Sequence, residues 1–154
     1  MFGRRADADR VIPALWVGAE PSNADARRLE RLGITAVVDL RAEPGRRAAW
    51  SPGVTVVRVA LVDHGTPTIE QLSSAAEQTS RLLRDGQEVL VHCRAGMERS
   101  PTVACAVLML QGWTLRDAYH RVTEARAGAV PTEGQLGALR DLERTQRASP
   151  PENA

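Results

Sequence analysis

Cys93 and Arg99 are separated by five residues, with His92 just before the cysteine and Ser100 just after the arginine. The full run is Val89-Leu90-Val91-His92-Cys93-Arg94-Ala95-Gly96-Met97-Glu98-Arg99-Ser100-Pro101. These residue types at this spacing suit an oxyanion site with a nucleophile at its floor. A loop curled round a helix N-terminus aims several backbone N–H groups at one point, and the helix dipole adds partial positive charge there. Gly96 lets the backbone curl that tightly. Arg99 offers two parallel N–H groups to phosphate oxygens, a fork that lysine lacks. A free thiol, with a pKa of about 8.5, is mostly protonated at neutral pH. Helix N-termini and nearby cations bring cysteine thiols down to ~3.5–7.5. The loop that binds phosphate therefore also favours the thiolate that attacks it.

The flanking residues say which elements carry this loop. Val89-Leu90-Val91, bounded upstream by the turn pair Asp85-Gly86, predicts a buried strand. Ser100 at a capping position and Pro101 in the first turn predict a helix start. That helix, from about Pro101 to Gln111, is apolar nearly all round, so it is expected to be the buried helix of the fold. Gly112 ends it.

Elsewhere the pattern alternates. Residues 1–10 are charged and expected to fray. Val11 to Gly18 predicts a short strand pair. Ser22 starts a helix with Ala26, Leu29 and Leu32 on its inner face and Gly33 as its stop. Ile34 to Leu40 is a buried strand, Arg41 to Pro52 a polar loop, Val54 to Val62 a β-branched strand, and Asp63 to Pro67 a loop. Thr68 with Gln71, Thr114 with Asp117, and Thr132 with Gln135 each open a helix. The tail from Ser149 is polar and Pro-rich, and is expected to be disordered. Strands alternate with helices, and then helices accumulate. The fold class is α/β: a central, mostly parallel sheet of four to five strands flanked by helices.

Composition narrows the function classes. At 154 residues the chain is expected to be a single domain with a core over about 10–146. Its net charge of +1 provides no global drive toward nucleic acid or anionic membrane. Every formally basic side chain apart from the histidines is arginine. Two cysteines do not make a disulfide framework. No signal-peptide core or membrane-length apolar run is present. The expectation is a cytoplasmic monomer with reduced thiols, no nucleic-acid or membrane partner, and no cofactor or metal.

The run His92 to Ser100 resembles the signature loop of the cysteine-dependent protein tyrosine phosphatases, in their dual-specificity branch. Val11–Gly18, Gly33–Leu40, the two helices after the loop and the Arg126…Pro131 corner also fit, so the resemblance spans about residues 10–145. It implies a protein tyrosine phosphatase-like fold and two in-line displacements at phosphorus, with phosphorylated proteins as partners. Cys93 would attack as thiolate. Arg94, Ala95, Gly96, Met97, Glu98 and Arg99 would surround the phosphate. Ser100 would hydrogen-bond the departing sulfur, and His92 would orient Cys93. The family keeps a general-acid aspartate about thirty residues before the cysteine, and Asp63 stands there. A positioned acid contributes about 10²–10⁴-fold. Phosphotyrosine, with phosphoserine and phosphothreonine as further esters, is the implied substrate. A lipid, RNA or sugar phosphate is the alternative, and a silent phosphate-binding module is a third reading.

Each candidate has a plainer role beside it. Cys105 lies among apolar residues and reads as core. Asp39 with Arg41 reads as a brace under the loop, Gln135 as a capping residue, Arg46 and Arg47 as a solvated loop, and His64 and His120 as surface histidines. Glu98 departs from the family, which usually has a small residue there. A carboxylate about 8 Å from a phosphate costs roughly 2 kcal/mol per unit charge at an effective dielectric of about 20. Glu98 must therefore turn outward, pair with an arginine such as Arg94, or carry a proton in action. Its resemblance to the aspartate that some bacterial tyrosine phosphatases and the myotubularin lipid phosphatases carry at the matching place makes it the alternative acid to Asp63, although Met97 departs from the lysine that precedes it in those bacterial enzymes.

Overall fold

The computed structural model describes residues 4–148. Five strands and five helices follow in the order β1 (Ala8–Ile12), β2 (Leu15–Gly18), α1 (Asn23–Arg31), β3 (Ala36–Arg41), β4 (Thr55–Leu61), α2 (Ile69–Arg84), β5 (Val89–His92), α3 (Arg99–Leu110), α4 (Leu115–Ala125) and α5 (Glu133–Ala148). The sheet order is β1-β2-β5-β3-β4. Only β1 is antiparallel; the pairs β2–β5, β5–β3 and β3–β4 are parallel. The mostly parallel sheet read from the alternating pattern is thus present. Its middle strand is β5, which leads into the His92–Ser100 loop at the carboxyl edge, where open α/β sheets place their ligand crevices.

Period-2 alternation assigns the faces. Val89, Val91 and Cys93, with Val38 and Leu40, join the larger core formed with α2, α3, α4 and α5. Leu90 and Val37 join the smaller core with Leu29 of α1 and the flanking Trp16, Trp50 and Val54. Helix α3 lies inside the larger layer, with every residue from Arg99 to Met109 buried. Its low amphipathicity is the signature of a helix enclosed on all sides. Helices α1 and α2 start with capping boxes, Ser22 with Asp25 and Thr68 with Gln71. Gln135 and Thr132 bond each other's backbone N–H at the start of α5. In each case orphan amides of the first turn find side-chain acceptors.

Three local expectations are corrected. The N-terminal ten residues do not all fray: Ala6 and Ala8 are buried, β1 begins at Ala8, and Asp7 and Asp9 hold Arg126. The acidic residues that look solvated in sequence are a clamp for a distant guanidinium. Leu32 is not on the inner face of α1; it is the C-cap and 57% exposed. Helix α3 starts at Arg99, not Pro101, and its N-cap is Glu98, with no side-chain cap bond. Ser100 is therefore inside the helix rather than capping it, and the first-turn amides remain directed at the loop. The expected disorder after Ser149 lies outside the described residues.

Candidate active site

Strand β5 delivers His92 between Gly18 of β2 and Asp39 of β3. Cys93 follows with its side chain on the opposite face, 3% exposed. Its sulfur accepts a hydrogen bond from the Gly96 amide at 3.2 Å and lies 3.4 Å from Ser100 Oγ. The Ser100 hydroxyl stands between that sulfur and the Gly18 carbonyl, 3.3 Å away, and its one proton serves one of them at a time.

Gly96 has φ +72, a conformation that disfavours any side chain. A Cβ there would meet the Arg126 guanidinium and approach Gly18 C to 2.7 Å. Arg126 ties the loop down from outside. Its Nε donates to Gly96 O at 2.6 Å, Nη2 to Ala95 O at 3.2 Å, and Nη1 to Asp7 and Asp9. With the Ala95 carbonyl turned outward, the amide of the same peptide, Gly96 N–H, turns toward the sulfur. Replacing Arg126 by Ala leaves two carbonyls unpaired at a buried position. The expected loss is about 2–4 kcal/mol in chemical denaturation; a loss under ~1 kcal/mol would mean the loop holds its own shape.

Arg99 is 2% exposed. Its Nη1 and Nη2 donate to the two oxygens of Glu43 at 2.7 and 2.8 Å, and Nη1 also donates to Leu61 O. Nη2 lies 3.3 Å from Asp63 Oδ1. Nε has no acceptor within the protein. Burial opposes the guanidinium charge, but the Glu43 hydrogen bonds together with the nearby Cys93, Glu43 and Asp63 charges more than offset it, and its pKa is raised. In return, the Arg99 hydrogen bond holds the Glu43 carboxyl down to about 2.

On the other face, His92 Nδ1 meets the Cys93 carbonyl at 3.1 Å, and Nε2 lies 4.0 Å from Asp39 Oδ1. A carbonyl only accepts, so Nδ1 carries the proton in that contact. Burial pushes the His92 pKa down, against the pull of Asp39, so the ring favours its neutral form. Burial would raise Asp39, but hydrogen bonds from Arg41 and the nearby charges hold it below the ordinary carboxylate range. Arg41 in turn is fastened to Glu20 at 2.7 Å. The brace read from Asp39 and Arg41 is present as an ion-paired floor.

These shifts have signs. His92 binds a proton more readily unfolded, so stability falls as pH drops below its ordinary 6.5. Asp39 and Glu43 contribute stability above their ordinary values of 3.8 and 4.5, and that is lost as pH falls toward their folded values, about 2 for Glu43. Thermal melts should show Tm level above about pH 7, a first decline below 6.5 and a steeper one below 4.5. His92→Asn should erase the first decline only; a Tm level down to pH 5 would contradict this reading.

The structure thus gathers His92, Cys93, Gly96, Arg99, Ser100 and Asp63. Arg94, Ala95 and Met97 belong to the same loop with exposed side chains. Glu98 neither pairs with Arg94 nor turns fully outward. It is 19% exposed by side chain and faces His64, whose Nδ1 is 2.6 Å from Glu98 Oε2. His64 is otherwise the surface histidine expected, 73% exposed by side chain. Arg47 does not line the loop; it pairs with Asp39 at 3.1 Å. Gln135 is buried and, besides its cap, contacts Thr102 and Gly65. His120 is 82% exposed by side chain. Cys105 is fully buried, its thiol pushed up to about 12 by burial, as suits a core residue.

Two residues escaped the sequence reading. Glu43 looked like one more charge in a polar loop, and Arg126 carried no role. Nothing local marks either, because each acts on a loop reached only through the fold: Glu43 on Arg99, 56 residues away, and Arg126 on Gly96, 30 residues away.

A nucleophile-bearing strand–loop–helix with a buried arginine fork defines a class, and comparison with known proteins agrees. The family model described as dual specificity phosphatase, catalytic domain, matches residues 15–145. Mouse dual specificity phosphatase 28 is 35% identical over 142 residues, which cover 90% of this chain and 85% of that protein. Tk-PTP in its active form superposes with a TM-score of 0.80 at 30% identity, over 90% of this chain and 97% of the other. PTPMT1 in complex with PI(5)P does so with a TM-score of 0.81 at 26% identity, over 92% and 99%. The protein is a cysteine-dependent phosphatase. It belongs to the dual specificity phosphatase family. Among the described residues no helix is long and apolar enough to cross a membrane.

Proposed function

We propose that the protein hydrolyses phosphotyrosine, and also phosphoserine and phosphothreonine, in protein substrates through a phosphocysteine intermediate. The observation that carries this is the arrangement around Cys93. Its sulfur lies 3.2 Å from the Gly96 amide and 3.4 Å from the Ser100 hydroxyl, at the start of a helix whose first residue is a buried arginine. In the first displacement the Cys93 thiolate forms a bond to phosphorus while the bond to the ester oxygen breaks. Asp63 gives its proton to that oxygen. In the second, Asp63 takes a proton from water, the water oxygen bonds phosphorus, and the sulfur leaves with the Ser100 hydroxyl beside it. Loop amides and the Arg99 guanidinium bind the equatorial oxygens, where transition-state charge gathers. Glu43 occupies both Nη atoms, which fixes the plane of the fork and leaves Nε–H for phosphate. His92 acts through the backbone, holding the Cys93 carbonyl.

Rates across phosphotyrosine, phosphoserine and phosphoinositide substrates test this reading, with the Cys93→Ser protein as blank. Phosphopeptide turnover above that blank is the expected result. Turnover confined to the phosphoinositide would replace it with a lipid reading, which the likeness to PTPMT1 solved with PI(5)P favours as the second possibility.

A further inference from the structure

We propose that the cleft between the sheet and the Arg47–Pro52 segment binds a small aryl carboxylate, at a site separate from the catalytic loop. The cleft has a volume of about 370 Å³, within the range of about 300–1,000 Å³ typical of small-molecule sites. Its floor is one face of three adjacent strands. Asp39 of β3 lies between Arg58 of β4 and His92 of β5, and Val37 lies beside Val56. Period-2 alternation puts these side chains on the face opposite Cys93. A ligand in the cleft and a phosphate at Cys93 are therefore compatible. No step of the reaction proposed above takes place in the cleft, and the site does not depend on which phosphoester that reaction cleaves.

The wall of the cleft is fixed before any ligand arrives. Helix α1 fastens both neighbours of Trp50. Asn23 Oδ1 accepts from the Ala49 amide at 2.8 Å, Arg27 donates to the Ala49 carbonyl, and Glu30 Oε1 accepts from the Ser51 amide at 2.8 Å. Trp50 packs partly against the smaller core and also lines the cleft. Val54 and Val56 line it too, and Val56 is 47% exposed. An indole and an open valine in one cleft make an apolar slot. An aromatic ring packs well there, stacked on or edge-on to the indole.

The other end of the cleft is charged, and its charges do not balance. Arg41, Arg47 and Arg58 gather on Asp39 Oδ2, at 2.9, 3.1 and 3.8 Å. Arg41 also pairs with Glu20. With His92 in its neutral form, three positive charges face two negative ones, an excess of one. That excess lies toward solvent: Arg47 and Arg58 are 45% and 47% exposed by side chain, whereas Arg41 is 4% exposed. Arg47 gives Asp39 one N–H, and Arg58 stands beyond hydrogen-bond reach of it. Both guanidiniums keep donors for an incoming group. A carboxylate matches them, because its two oxygens fit the guanidinium fork and its single charge meets the single excess.

Neither end suffices by itself. Exposed arginines hold a bare ion weakly in water, where the attraction is screened. A slot half-open to solvent gains only part of the burial free energy of an arene. The two ends share one cleft, so a ligand carrying a ring and a carboxylate engages both at once. That combination is what the site selects.

The test uses the full chain, titrated with naphthoate in a calorimeter while vanadate fills the catalytic loop. One bound naphthoate per chain is expected. Naphthamide keeps the ring without the charge, and acetate keeps the charge without the ring. Each should bind at least about tenfold more weakly. Arg58→Gln removes a guanidinium, and Val56→Glu sets a repelling carboxylate on the apolar floor. Both positions are exposed, so the fold is retained, and each change should weaken naphthoate at least about tenfold. Cys93→Ser should leave its affinity unchanged. No binding, equal binding of naphthamide, or unaltered affinity in both Arg58→Gln and Val56→Glu overturns the proposal. Displacement of naphthoate by vanadate also overturns it, since the ligand would then sit at the catalytic loop.

Discussion

Replacing Cys93 by Ser should lower hydrolysis of an aryl phosphate by about 10⁴-fold or more, the scale on which loss of a covalent nucleophile acts. Phosphate and vanadate should still bind. The reasoning is geometric. The Ser hydroxyl occupies nearly the same volume but is not ionised at neutral pH, so the attack is lost. The oxyanion site is built from other atoms: the loop amides, whose direction is set by Arg126 through the Ala95 and Gly96 carbonyls, and the Arg99 fork set by Glu43. None of these changes with the sulfur. Single-turnover kinetics and a competitive binding assay check both halves. Retained turnover in Cys93→Ser would remove the phosphocysteine mechanism altogether.

Asp63→Asn should lower kcat/KM, which reports the first displacement, by about 10²–10⁴-fold for esters with poor leaving groups, the range for a positioned general acid, and far less for those with good ones. Hydrolysis of the phosphocysteine, where Asp63 serves as base, should slow for every ester. Asparagine keeps the shape and removes the proton. The two carboxylates stand in different surroundings. Asp63 Oδ1 is 3.3 Å from Arg99 Nη2, on the guanidinium proposed to bind the phosphate, while its side chain remains 40% exposed, open to an incoming ester. Glu98 faces His64 instead. Glu98→Gln should accordingly change the leaving-group dependence little. If Glu98→Gln rather than Asp63→Asn steepens that dependence, the acid has been assigned to the wrong carboxylate.

What could be read in the chain was whatever is local. Val89 to Val91, the glycine at 96 and the Cys93–Arg99 spacing describe a strand, a tight loop and a helix start within thirteen consecutive residues. Caps at Ser22, Thr68, Thr114 and Thr132 declare themselves within four residues. The apolar circumference of α3 announced its burial, and Asp63 was reachable only through family resemblance. Asp7, Asp9, Leu32 and the helix start after Glu98 were misread because composition alone cannot say which charges meet a partner or which apolar residue lies one step past a helix end.

The sequence by itself determined the chemistry of the loop. A thiol, a fork of N–H groups and a helix N-terminus follow from residue type and spacing, and backbone geometry over so short a span leaves few alternatives. The tertiary structure decided what holds that chemistry in place. Arg126 reaches the loop from the end of α4, Glu43 reaches Arg99 from the loop after β3, and Asp39 faces His92 across paired strands. It also decided that Glu98 turns to His64. These contacts join residues tens of positions apart. Their formation depends on which elements the hydrophobic core stacks together, and no local pattern in the chain encodes that.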